Sequence, residues 1–207
     1  SGSSQLHRRK HLMLGSVLFH VGVLIIFGGH FVGLLTPIEV FDSIGVSHGA
    51  KQVLAIIAGG IAGAMAIVGA LILLHRRVFD PRIRATSSFG DTAILALLTA
   101  QLVLGLSTIP LSSQHLDGSE MVKFMAWAQG IFTFQPGAAA HISEVHWIFK
   151  AHLALGLTIF LVFPFTRLVH MLSAPIWYLN RRGWQLVRTR RGMADQKSRA
   201  RPSRGGR

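Results

Sequence analysis

The sequence predicts an all-α integral membrane bundle of four transmembrane helices, with an interfacial helix in the last outer loop. Three observations carry this. Of 207 residues, 50% are hydrophobic and only 14% charged, with a mean hydropathy of +0.47, which is too apolar for an ordinary soluble domain. Four long apolar runs divide the chain. The basic residues cluster between those runs in an alternating way. There is no cysteine, which excludes disulfides, cysteine-held iron–sulfur clusters, c-type haem attachment and cysteine-rich zinc sites.

The runs are Leu12 to Leu35, Val53 to Leu74, Thr92 to Ile109 and Trp147 to Leu168. A bilayer core of about 30 Å needs roughly 20 helical residues, so each run can span. The first, preceded by Arg8, Arg9 and Lys10, is too long for a signal-peptide core and lacks a small-x-small cleavage site after it. Residues 1–11 form an N-terminal flank, 12–187 the transmembrane domain, and 188–207 a tail of Arg, Gly, Ser and Pro that reads as disordered. Between the third and fourth runs, Glu120 to Phe134 places Met121, Phe124, Met125, Ala128, Ile131 and Phe132 at helical spacing, as in an amphipathic helix lying at the outer interface. Ser119 is its expected cap, and Trp127 suits interfacial anchoring.

Orientation follows from charge. Of the 21 Lys+Arg, only Lys51, Lys123 and Lys150 lie in or beside the loops after the first and third runs. The rest flank the termini or fall between the second and third runs. Both termini therefore face the cytoplasm, and the net charge of +13 is accounted for by the membrane, with no nucleic-acid partner.

Four of the eleven histidines lie within or at the end of apolar runs: His20 and His30 in the first, His152 and His170 in the fourth. A polar group inside a bilayer is a functional candidate by default, although a helix–helix hydrogen bond accounts for any one of them alone. His20 and His30 are about 15 Å apart along a helix, and His152 and His170 about 27 Å, five full turns. One ion cannot bind two groups so spaced. Antiparallel packing of the two runs instead sets His20 against His170 near the inner face and His30 against His152 near the outer face. A metal that needs only two protein ligands points to haem, whose porphyrin supplies the other four, and iron so ligated transfers electrons rather than binding gases.

Gly28, Gly29 and Gly33 flank His30, Gly22 lies near His20, and Gly156 lies one turn beyond His152. Missing side chains suit a flat macrocycle, although glycine is frequent in transmembrane helices anyway. Arg76 and Arg77 are placed for the propionates of an inner haem, and Lys51 and Lys150 for those of an outer one. Gly59, Gly60 and Gly63 form a small-residue face for helix packing, and Gln101 reads as a polar link between helices.

Several stretches carry a more specific resemblance: LFHVGVLIIFGGHFVGLLTP (Leu18 to Pro37), RRVFDPRIRAT (Arg76 to Thr86), LGLSTIPLSSQHLDGSEM (Leu104 to Met121), WAQGIFTF (Trp127 to Phe134) and FKAHLALGLTIFLVFPFTRLVHMLSAP (Phe149 to Pro175). Across about Ser3 to Arg188 the chain resembles the gamma subunit of respiratory nitrate reductase, a membrane di-haem cytochrome b. The resemblance implies two haem b, with His20 and His170 on the inner one and His30 and His152 on the outer. It implies quinol oxidation beside the outer haem, with Lys51 at the quinol site and Gly29 and Gly33 lining the approach. Arg77 matches a position near the inner propionates. Electrons are then expected to pass to an iron–sulfur subunit and on to a molybdenum catalytic subunit that reduces nitrate, in a bacterial inner membrane.

The family carries one more transmembrane helix before the first run, whereas here nothing apolar precedes Leu12 and the first residue is Ser. A fragment or a shortened frame is the expectation. The tail is also longer and more basic than in the family. Two other readings stay open on the residues: a di-haem quinol-linked subunit of a sulfur-compound or formate oxidoreductase, and a non-redox transporter or scaffold.

Overall fold

A computed structural model describes residues 2–166 and 168, with the side chains of residues 2–11, 82 and 86 outside the description. His170 and the tail lie outside the described residues, as does the disorder expected of residues 188–207. Every described element is helical: α1 (Gly2–Leu35), α2 (Ile38–Ser43), α3 (His48–Phe79), α4 (Pro81–Thr86), α5 (Phe89–Ser112), α6 (Ser119–Phe132) and α7 (Trp147–Val162), with 3₁₀ turns at Ala138–Ile142 and Phe163–Phe165. Four of these are long and apolar enough to cross a membrane, over Leu12–Leu35, His48–Phe79, Phe89–Ser112 and Trp147–Phe165. Only 6% of the α7 window is buried inside the protein. An apolar helix left so open needs lipid or a bound apolar group around it.

The helix ends have local causes. The Ser47 hydroxyl accepts from the Ala50 N–H to start α3. Asp80, the residue before Pro81, is pushed to extended backbone and ends it. Pro81 then opens α4 at a position where a missing N–H costs nothing. Ser88 and Asp91 form a reciprocal capping box at α5. At 32 residues, α3 is about 48 Å long. It therefore outreaches the apolar core and carries Lys51 near one end and Arg76 and Arg77 in its last turn.

The chain packs in sequence order, α1 on α3, α3 on α5 and α5 on α7, while α6 lies against α1 and α3. Small residues make the α1–α3 contact. Ala62, Ala66 and Ala70 are fully or almost fully buried. A Cβ on Gly22 would stand 2.6 Å from the Ala62 carbonyl oxygen and 2.9 Å from the Ala66 Cβ. Gly22 thus serves helix approach rather than a macrocycle, which corrects its sequence assignment. Gly63 does face another helix as expected, with Leu106 filling the space of its absent side chain, whereas Gly59 meets nothing within 4 Å.

These two glycines give a paired prediction. Gly22→Val overpacks the seam and costs about 1–3 kcal/mol. Gly59→Ala gains about 0.5–1 kcal/mol from helix propensity alone. Thermal unfolding followed by circular dichroism in detergent should move down for the first and up for the second. Equal melting temperatures would refute the seam.

Three expectations about α6 and α7 are corrected. The cap of α6 is Gly118, not Ser119: its φ of 82° is a glycine conformation, and a Cβ there would collide with the His48 backbone. Asp117 serves the first turn instead, accepting from the Ser119 N–H and hydroxyl, and the hydroxyl holds the Asp117 carboxyl below its ordinary pKa. Trp127 is buried and so packs inward rather than anchoring outward. The α-helix of the fourth run stops at Val162, six residues before Leu168. Pro164 lacks an N–H to continue the ladder, and Thr166 is already extended. The α-helix is thus interrupted at Pro164, between His152 and His170, and His170 lies outside the described residues.

Candidate functional site

Two histidines of α1 are held in the same way. His20 Nδ1 donates to the Ser16 carbonyl at 2.7 Å and His30 Nδ1 to the Ile26 carbonyl at 2.8 Å. A carbonyl can only accept, so each ring carries its proton on Nδ1 and its lone pair on Nε2. Ligating imidazoles are oriented in this way, with the second nitrogen tied to a backbone carbonyl.

His30 faces His152 of α7, with ring centroids 6.1 Å apart and planes inclined at 44°. A direct ring-to-ring hydrogen bond would bring the centres to about 5 Å. Two metal–nitrogen bonds of about 2 Å, each with its ring centre about 1 Å behind, give about 6 Å. The rings thus stand at the separation an intervening metal sets. His152 Nδ1 is moreover buried with no hydrogen-bond partner, the kind of atom a metal claims. The site fits a bis-imidazole haem on these grounds. Further in along the same cleft, the Phe27 and Phe160 rings stand 6.4 Å apart. The α1 and α7 backbones do not pack closely, so the two helices meet through rings.

The glycines next to His30 behave as a cradle. A Cβ at Gly28, Gly29 or Gly33 would meet nothing within 4 Å, so no described helix fills that face. Gly156 has a different task. A Cβ there would lie 3.1 Å from Gln101 Nε2, so it makes room for Gln101 rather than for a ring system. His170, the expected mate of His20, lies outside the described residues.

Lys51 is buried near the N-terminal end of α3. Its ammonium donates to Met125 Sδ at 2.8 Å and lies 3.7 Å over the Phe41 ring. Ile38, His48, Gly118, Met121 and Val122 complete the cleft, and His48 Nε2 stands 3.4 Å from Asp42 on its rim. The sequence reading did not single out Phe41 as a partner of Lys51. It carries no periodic signal, and Met125 is 74 residues from Lys51. Among the described residues, Arg77 donates to the Asp91 carbonyl at 2.6 Å, tying α3 to α5, Lys150 donates to the Ser143 carbonyl at 2.6 Å, and Lys123 pairs with Glu120 at 2.7 Å. Arginine has five donors and lysine three, so these contacts leave Arg77 and Lys150 further capacity. Gln129 of α6 donates to the Leu34 and Thr36 carbonyls, both at 3.1 Å, and closes the C-terminal end of α1.

Fold and site together define a multi-pass helical membrane protein with paired imidazoles between two of its spans. The nitrate reductase gamma subunit family model matches residues 1–190, and the chain belongs to that family. It is 50% identical over 190 residues to the respiratory nitrate reductase 1 gamma chain of Escherichia coli, covering 92% of this chain and 84% of the relative. The nitrate reductase gamma chain of Bacillus subtilis is 40% identical over 179 residues, 86% of this chain and 80% of the relative. An Hdr-like menaquinol oxidoreductase cytochrome b-like subunit from Archaeoglobus profundus is 24% identical over 170 residues, 82% of this chain and 48% of the relative.

Proposed function

We propose that this chain oxidises quinol near the outer face of a bacterial inner membrane. It hands the electrons to the iron–sulfur subunit of a nitrate reductase, whose molybdenum subunit reduces nitrate. Two b haems supply the one-electron redox centres when bound. His30 and His152 hold the outer one and His20 and His170 the inner one. Gly29 and Gly33 leave the outer face open, Lys150 stands for the outer propionates and Arg76 and Arg77 for the inner ones, and Lys51 receives the quinol. Both ends of the chain lie in the cytoplasm, so protons from quinol leave on the outside while nitrate consumes protons within.

The observation that carries this reading is the 6.1 Å ring separation of His30 and His152 with His30 Nδ1 tied to a backbone carbonyl. A pyridine haemochrome assay on the purified complex tests it, and two b haems per chain are expected. A colourless gamma chain would overturn the proposal. Loss of the chain should also abolish quinol-driven nitrate reduction while methyl viologen still drives nitrate reduction at the catalytic partner.

A further inference from the structure

We propose that Gly105 of α5 is a positioning residue for the outer iron site: its missing side chain is the seat of the His152 ring and sets the plane in which that ring meets its metal. This rests on the outer-haem reading above and extends it from the two ligands to a third helix.

The facing rings come from α1 and α7, and α5 packs on α7. A Cβ on Gly105 would stand 3.0 Å from His152 Cε1, 3.6 Å from Nδ1 and 3.8 Å from Nε2. The three nearest atoms thus all belong to one imidazole. At glycines that let helices approach, the obstacle is backbone. A Cβ on Gly22 would meet the Ala62 carbonyl oxygen and the Ala66 nitrogen, and one on Gly69 the Phe19 nitrogen and the Gly15 carbonyl oxygen. Glycine inside a helix costs stability relative to alanine, and what the missing methyl admits at position 105 is a ring.

That ring has little room to retreat. Gln101 lies one turn before Gly105 on the same face of α5, and its Nε2 donates to the His152 carbonyl at 3.1 Å, which ties α7 to α5 at this residue. His30 stands across the cleft, with ring centroids 6.1 Å apart. Carbon atoms in contact sit about 3.5–4.0 Å apart, so a methyl at position 105 has to displace Cε1 by about half an ångström. Cε1 is the ring carbon between the two nitrogens, so whichever of them ligates moves with it. Metal–nitrogen distances hold to within about 0.2 Å. The bond cannot absorb the push, and the ring must turn, changing the 44° between the imidazole planes.

Electron paramagnetic resonance of the oxidised, assembled complex in membranes tests this, because a low-spin ferric signal reads the relative orientation of two axial imidazoles. The signal missing from His152→Ala is the outer one. Gly105→Ala should shift that signal, with two haems per chain retained and the inner signal unmoved. Gly63→Ala is the control. Its Cβ would stand 2.6 Å from Leu106 Cδ2, so it overpacks α3 against α5 beside Leu106 rather than beside the ring, and both signals should stay. An unmoved outer signal in Gly105→Ala, or an equal shift in Gly63→Ala, overturns the assignment. Should Gly105→Ala lose the outer haem, a double-mutant cycle in melting temperature decides. Alanine at position 105 should lower the melting temperature when His152 is present. It should raise it in the His152→Ala background, where helix propensity alone counts. An equal fall in both backgrounds puts the collision on the helix rather than the ring and ends the proposal. Failure of the underlying reading looks different: His152→Ala then leaves both haems in place, whereas failure of the Gly105 proposal alone leaves that variant one haem short.

Discussion

Alanine at His30 or at His152 removes the same b haem and leaves the other in place. Haem content measured by pyridine haemochrome drops from two per chain to one in each single variant, and the double variant still holds one. Quinol-driven nitrate reduction falls to background in all three. The expectation follows from the geometry of α1 and α7, whose backbones keep apart while these two rings approach to 6.1 Å. Loss of either ligand leaves iron with one protein bond and opens the cradle beside Gly28, Gly29 and Gly33. The two variants must also lose the same band in the low-temperature optical spectrum. If His30→Ala and His152→Ala bleach different bands, the pairing across α1 and α7 is wrong. If either variant keeps two haems, that ring is a packing group.

The same pair shows how much of the site was legible in the sequence. The four spans are readable because lipid forces every backbone group into an internal hydrogen bond, so apolar length alone marks them. The ends of α3 are not, since His48, Lys51, Gln52, Arg76 and Arg77 interrupt the apolar window while the helix runs on to Phe79. Counting turns along antiparallel helices brings His30 to His152. His170 lies outside the described residues, and the helix that leads to it is interrupted at Pro164. Gly22 and Gly156 look like the glycines beside His30 but answer to Ala62 and Gln101. Only knowledge of which helices are neighbours separates a glycine that admits a helix from one that faces an open cleft. Gly105 carried no signal for the same reason.

Lys51→Met slows quinol-driven nitrate reduction about 10–100-fold while both haems and the methyl viologen-driven activity remain. The range corresponds to losing one hydrogen bond from a charged donor, about 1.5–3 kcal/mol. The argument turns on what surrounds the ammonium. It is 8% exposed, yet its contacts are a thioether sulfur and the face of Phe41. A thioether is a weak acceptor, and a cation–π contact in a sheltered site contributes about 2 kcal/mol, less than burying a charge costs. The ammonium keeps donor capacity beside the apolar side chains of Ile38, Met121 and Val122. Methionine preserves the apolar stem and relieves the buried charge, so the melting temperature should hold or rise. A fall in melting temperature with unchanged quinol kinetics would make Lys51 a structural residue and remove it from the quinol site.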